Sequence, residues 1–300
     1  MKRNEEIRQR VARFYTRAVR SGKGCCGPAS SGCCGSGTTQ IPGGFAARHE
    51  AYRKDAEGLP SDAVENSFGC GNPLAFSDVK PGDVVLDLGS GAGIDLLVAA
   101  RKVGSEGRVI GVDMTDEMIR RARRNAAAAG FRNIEVRKGL IEDLPVESGS
   151  VDWVISNCVI NLSPEKDRVF REIARVLKPG GRMRVSDIVV EDLPDWVRRS
   201  MALHASCVAG AVSEAEYLEG LQRAGLVEVE VLDRQPYEVE QISGLIESEM
   251  PRALPDGGDA RSIAEAIARK VLSVRFSARK PEGQAAGRGH RDPSVPGGRE

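Results

Sequence analysis

The side chains with the most distinctive chemistry in this 300-residue chain are its seven cysteines. Four of them, Cys25, Cys26, Cys33 and Cys34, sit in the glycine-rich stretch GCCGPASSGCCG; the other three, Cys70, Cys158 and Cys207, lie far apart in sequence. An odd thiol count in a chain expected to be intracellular reads as metal, catalytic or redox chemistry before it reads as a disulfide framework. Soft thiolates select soft ions. Zinc usually takes close ligand pairs such as C-x₂₋₄-C, and Cys70, Cys158 and Cys207 contain none. Three separate thiolates instead suit a trigonal site for a soft centre that carries a lone pair, such as trivalent arsenic. The bland alternative is that each packs as a small buried hydrophobe. Against it, Gly69-Cys70-Gly71 has no apolar sequence neighbours to explain burial, and Cys158 directly follows the strand-like run VDWVISN.

A second group is LDLGSGAGID, with Gly89, Gly91 and Gly93. Glycines at a strand-to-helix turn let the backbone approach a ligand beside a helix N-terminus. The spacing is G-x-G-x-G and fails the dinucleotide pattern G-x-G-x-x-G. Asp113 ends the next strand-like run, RVIGVD. A carboxylate there can accept from both hydroxyls of a ribose, or cap the helix that follows. GLIEDLP places Glu142 and Asp143 on a later loop, where either could accept from an exocyclic amine or face solvent.

The elements that must position these groups alternate. VVLDL (84–88), RVIGVD (108–113), IEVRKG (134–139), VDWVISN (151–157) and GRMRVSDIVV (181–190) read as strands. IDLLVAARKV, DEMIRRARRNAAAAG closing on Gly130, and a segment opening at Ser163-Pro164 and breaking at KPGG read as helices. LVEVEVLD (226–233) and KVLSVRFSARK (270–280) add two late strands. The expected fold class is α/β: a doubly wound, mostly parallel seven-stranded sheet of Rossmann-like type, with a helical insertion over 191–222 and flexible terminal segments. Asn4–Arg20 reads as an amphipathic helix through Ile7, Val11, Tyr15 and Ala18. The arm 24–44 holds few large apolar side chains and reads as mobile, and the Gly/Pro-rich tail reads as disordered. The expected division is 1–80 helix, arm and lead-in; 81–190 a ligand-binding α/β domain; 191–280 covering helices and last strands; and 281–300 tail. RRARRN (120–125) reads as a solvated face, and Trp153 and Trp196 as core or lid.

Lys plus Arg and Asp plus Glu each number 43, so the formal net charge is zero. That balance argues against a general nucleic-acid binder. No apolar run reaches the ~18 residues of a membrane helix, and MKRNEEIRQR has no apolar signal region. A cytoplasmic location without membrane attachment is the expectation.

DLGSGAG, GVDMT, VDWVISN and RVLKPGG before GRMRVSD resemble the class I S-adenosylmethionine-dependent methyltransferases over roughly 81–187. That resemblance implies a cofactor site of Asp87, Gly89, Gly91, Gly93, Asp113, Met114, Ile141, Glu142 and Asn157. Adding CCGPASSGCCG, FGCG, SNCVINLSPEKDRV and the Cys207 segment, the chain resembles the bacterial-type arsenite methyltransferases over most of 10–280. The resemblance implies that Cys70, Cys158 and Cys207 bind As(III) and take part in catalysis. It also implies an N-terminal redox thiol, mapped to Cys25 or Cys26 with Cys33 and Cys34 left open. Arsenite or its thiol conjugates would be the substrate, thioredoxin or glutathione would restore the thiols, and no metal beyond the arsenic is expected. Two alternatives stand beside it. One is a small-molecule C-methyltransferase of the quinone-biosynthesis type, in which the cysteines are incidental; the other is a non-catalytic arsenic or metal sequestration protein. The chain has only three histidines, His49, His204 and His290, which suits a transfer in which the attacking atom loses no proton. His204, three residues before Cys207, could serve as a base for thiols or pack a helix face.

Overall fold

The computed structural model describes residues 2–20, 52, 55–75, 77–192, 208, 210–240, 242–243 and 260–283. The arm with its four cysteines, Cys207, Trp196, the three histidines and the tail beyond residue 283 lie outside the described residues.

The strands are β1 (Val84–Leu88), β2 (Arg108–Asp113), β3 (Ile134–Lys138), β4 (Val151–Asn157), β5 (Leu177–Val190), β6 (Val227–Pro236) and β7 (Val271–Arg279). They form one sheet in the order β3-β2-β1-β4-β5-β7-β6. β1 to β5 pair in parallel, and β7 is antiparallel to β5 and to β6. The mostly parallel, seven-stranded, doubly wound expectation is what the sheet shows. Strand order reverses at the β1–β4 junction, so a crevice opens beyond the carboxyl ends of those two strands.

The central strands read as near-continuous apolar runs because both of their faces are covered. On one face Val85, Val109, Trp153 and Ile155 pack against helices α3 (Ile94–Val103) and α4 (Asp116–Ala128) through Leu96, Val98, Ile119 and Ala122. On the other, Leu86, Leu88, Val112, Val154 and Val185 meet α5 (Lys166–Val176) and α6 (Glu214–Arg223) through Val169, Phe170, Ile173, Tyr217 and Leu221. Tyr217 stacks on Phe276 with ring centroids 4.1 Å apart. Trp153 is core, as expected: its indole N–H donates to Asp83 at 3.0 Å.

Helix α1 (Lys2–Arg20) and the short α2 (Ser61–Glu65) precede the sheet. The apolar stripe of α1 joins a separate cluster above the sheet's carboxyl edge. That cluster holds Val11, Cys70, Cys158, Leu162, Ile188, Val190, Val208 and residues of α7 (Ala260–Ile267).

Three local expectations are corrected. The helix expected to open at Ser163 begins at Lys166, because a 3₁₀ turn at Ile160–Leu162 comes first and the Ser163 hydroxyl turns inward to Glu142 at 2.7 Å. KPGG does not simply break the chain: β5 starts at Leu177 and carries KPGG as a bulge against β4. Within 191–222, residues 193–207 and 209 of the expected helical insertion lie outside the described residues, and the described part holds α6, opened by a Ser213/Glu216 capping box. RRARRN is only partly solvated, since Arg121 donates to the Val19 carbonyl at 2.6 Å and pairs with Asp62.

Candidate functional site

A cavity of about 940 Å³, open solvent at its mouth included, lies over the carboxyl ends of β1 and β4. Its floor is the glycine loop. Gly89, Gly91 and Gly93 all have positive φ, at 65°, 52° and 97°, a region that side chains with a Cβ avoid. Gly89 is constrained twice, because a Cβ there would also collide with Val159. The loop is held down by Asp113, whose carboxylate accepts from the Gly91 N–H at 3.0 Å and the Thr115 N–H at 2.7 Å. The N-cap of α4 is Thr115, so Asp113 does not cap that helix; it ties β2 to the loop and lines the cavity.

Of the residues expected to hold a cofactor, Gly89, Gly91, Gly93, Asp113, Met114, Ile141, Glu142 and Asn157 all line this one cavity. Asp87 does not; it is buried behind the loop. Burial raises its pKa well above the usual carboxylate range, and the fields of Asp95 and Asp113 push the same way. Asp143 is exposed and off the wall. Glu142 is buried and already engaged: it accepts from Arg8 of α1 at 3.1 Å and from Ser163. Any further donor would have to share the carboxylate with these two.

Sequence reasoning missed several wall residues. Arg8 and Tyr15 come from α1, with Arg8 also paired to Glu165. Burial works against the Arg8 charge, but its bonds to Glu165 and Glu142 leave the guanidinium pKa raised. Tyr15 meets Phe68 edge-to-face at 5.3 Å. Asp95, in the first turn of α3, accepts from the Tyr52 hydroxyl at 2.7 Å. Burial lifts its pKa to about 6, while the Tyr52 and Asn157 hydrogen bonds pull it down. Asp95 was visible in the sequence as the acid just after the glycine loop.

These groups fit S-adenosylmethionine. The backbone of the loop is bare, and the acids Asp95 and Asp113 line the cavity, which suits a group that carries an ammonium and a sulfonium charge. The Ser90 hydroxyl on the same wall is buried without a protein partner.

The two described cysteines, Cys70 and Cys158, stand at one side of this cavity. Cys158 lines it, and its backbone has φ 57°, an uncommon left-handed conformation for a residue with a Cβ. Its N–H donates to the Ser186 carbonyl at 2.8 Å. Cys70 comes from 88 residues upstream and is joined to Cys158 as a disulfide, with Cα atoms 5.9 Å apart. Both are buried, 4 % and 6 % exposed, which corrects the expectation that Cys70 lacks an apolar setting. The apolar neighbours come from distant segments. One is Val208, which follows Cys207 and packs in the same cluster.

Residues 79–225 match the family described as a methyltransferase domain. The chain is 44 % identical over 234 residues to an arsenite methyltransferase of Halobacterium salinarum, covering 76 % of this chain and 59 % of that protein. It is 41 % identical over 180 residues to one of Aquipseudomonas alcaligenes, covering 57 % of this chain and 51 % of that protein. It thus spans between half and three-fifths of these relatives' lengths. Among solved structures it resembles CrArsM, an arsenic (III) S-adenosylmethionine methyltransferase from Chlamydomonas reinhardtii. There the TM-score is 0.65 and the identity 33 %, over 78 % of this chain and 75 % of that one.

Proposed function

The chain belongs to the arsenite methyltransferase family, and from that membership we propose that it methylates trivalent arsenic held by its own thiolates. The observation that carries the proposal is the meeting of Cys70 with Cys158, two cysteines brought from 88 residues apart, of which Cys158 lines the cavity. Cys207 is the third thiolate of the proposed set, and burial of its neighbour Val208 with the pair supports that reading.

In the disulfide form the two sulfurs cannot both serve as thiolates. Reduction comes first: two thiols of glutathione or a thioredoxin-type protein become one disulfide, and Cys70 and Cys158 each regain a proton. Arsenite then exchanges its three oxygens for three sulfurs, releasing three waters. S-adenosylmethionine, when bound, supplies a sulfonium methyl for in-line attack by the arsenic lone pair. The loop of Gly89, Gly91 and Gly93 with Asp113, Met114, Ile141, Glu142 and Asn157 would hold it. The work of the chain is orientation, which in well-aligned systems lowers barriers by about 7–11 kcal/mol. The buried thiol pocket keeps water away from the arsenic, and no general base is required. Arsenic that has gained a methyl is formally oxidised by two electrons. It returns to the trivalent state when two thiols give those electrons and form a disulfide; the proposed pair is Cys25 or Cys26 of the arm with one cysteine of the arsenic-binding set. In this reading residues 81–190 carry the cofactor, 191–280 cover the substrate and 1–80 bring the arm, in the cytoplasm.

The test is arsenic speciation after incubating reduced protein with arsenite, S-adenosylmethionine and a thiol reductant. Methylated arsenicals are expected, and none should form with Cys70→Ser, Cys158→Ser or Cys207→Ser. A wild-type protein that leaves arsenite unmethylated overturns the proposal, as does full activity in Cys158→Ser.

A further inference from the structure

Asn157, the last residue of β4, has more polar contacts than a cofactor ligand needs, and most of them point at the thiol loop rather than into the cavity. Its Oδ1 accepts from the backbone N–H of Cys70 at 2.9 Å and from that of Gly71 at 3.1 Å. Its Nδ2 lies 2.6 Å from the Gly71 carbonyl, 2.8 Å from the Tyr52 hydroxyl and 3.4 Å from Asp95. One amide thus grips both sides of the Gly71 peptide and leans on the Tyr52–Asp95 pair at the cavity wall.

The loop is shaped to receive that amide. A Cβ at Gly69 would collide with the Asn157 amide group, and a Cβ at Gly71 would meet the Ser186 hydroxyl at 2.6 Å. The glycines flanking Cys70 therefore permit close approach to β4 and β5. The far side of the loop is fixed as well, by Ser273 of β7 donating to the Cys70 carbonyl at 3.2 Å. Cys158, the residue next to Asn157, is held in its left-handed conformation, so one strand end carries both the clamp for Cys70 and the partner thiol.

We infer that Asn157 is a positioning residue for the Cys70 thiol, docking the Gly69-Cys70-Gly71 loop so that its sulfur meets that of Cys158. The inference deepens the proposed arsenic site and rests on that reading for its catalytic consequence, although the docking itself does not. Only a side-chain amide supplies the acceptor for two successive N–H groups together with donors for a carbonyl and a carboxylate. A carboxylate in its place keeps the acceptor but loses the donors and adds a charge beside Asp95.

The experiment reads thiol proximity without arsenic. The full chain is equilibrated in glutathione buffers, where two protein thiols and one oxidised glutathione give one protein disulfide and two reduced glutathiones. The fraction of Cys70–Cys158 disulfide is counted by peptide mass spectrometry after alkylation, which gives the effective concentration of the pair. Asn157→Ala should lower it roughly tenfold or more, because misplacing a reacting group by about an ångström carries penalties of that size. Asn157→Asp, keeping the acceptor, should recover part of the loss. Gly69→Ala, which leaves Asn157 in place but obstructs it, should lower the value as well and serves if Asn157→Ala does not fold. A wild-type effective concentration in folded Asn157→Ala, or in Gly69→Ala, overturns the inference. A wild-type chain that pairs these thiols normally yet methylates no arsenite would overturn the arsenic reading and leave the docking role intact.

Discussion

At the scale of single residues, two positions carry predictions that separate geometry from charge. Gly89 combines φ of 65° with a Cβ collision against Val159. Gly89→Ala should weaken S-adenosylmethionine binding by roughly tenfold or more, since a left-handed backbone costs a residue with a Cβ about 1–2 kcal/mol before the clash is added. Calorimetric titration checks this, and affinity within twofold of wild type would contradict it. Asp187 tests charge. It is fully buried in β5, accepts from Asn161 at 2.8 Å and from the Ile188 N–H at 2.9 Å, and burial lifts its pKa to about 7 against these hydrogen bonds. A carboxyl whose folded pKa lies above its unfolded value contributes stability below the unfolded pKa and loses it as pH climbs through the folded one. Wild-type unfolding free energy should therefore fall, relative to Asp187→Asn, between about pH 4 and pH 7. Denaturant titrations at a series of pH values read the difference, and parallel curves for the two proteins would refute it.

At the scale of elements, the helix α1 forms a wall of the cavity through Arg8, Val11 and Tyr15. The latch is Arg8, with its side chain 13 % exposed, reaching Glu142 and Glu165 on two loops of the sheet edge. Removing Arg8 leaves the buried Glu142 carboxylate without its cation, so Arg8→Ala should loosen α1 by about 1–3 kcal/mol. Hydrogen exchange of the amides in residues 2–20 measures that, and unchanged protection would rule the latch out. The sequence made the helix legible, because Ile7, Val11 and Tyr15 mark its buried face. It did not make its target legible, for Arg8 and Glu142 are 134 residues apart and nothing local joins them. The strands show the same division. β1, β2 and β4 match the bounds read from continuous apolar runs, as expected of strands buried on both faces. The cap of the helix after β4 was placed at Ser163 and lies at Glu165, because a 3₁₀ turn intervenes and the Ser163 hydroxyl is shared between donating to Glu142 and accepting from the Glu165 N–H.

At the scale of the whole molecule, the sheet's switch point does the assembling. The glycine loop after β1, Asp113 after β2 and Cys158 after β4 reach one crevice because parallel strands end on the same side. That much follows from strand order and could be read from motifs. The burial of Cys70 could not, since its apolar surroundings come from α1, β5, α7 and the Val208 segment, all remote in sequence. Nor could the Tyr52–Asp95 pair, in which a residue of the lead-in meets the first turn of α3. A cavity formed in the native fold alone couples ligand to stability: S-adenosylmethionine at 100 times its dissociation constant should add about 2.7 kcal/mol to the unfolding free energy. A thermal melt that does not move with ligand would count against the site. The most direct test of the central claim, that Cys70 and Cys158 together take arsenic beside this cavity, is X-ray absorption at the arsenic edge on reduced protein loaded with arsenite. The account predicts sulfur neighbours in place of oxygen in the wild type, with oxygen returning in Cys158→Ser. Oxygen-coordinated arsenic in the wild type, or the same sulfur shell with and without Cys158, would contradict it.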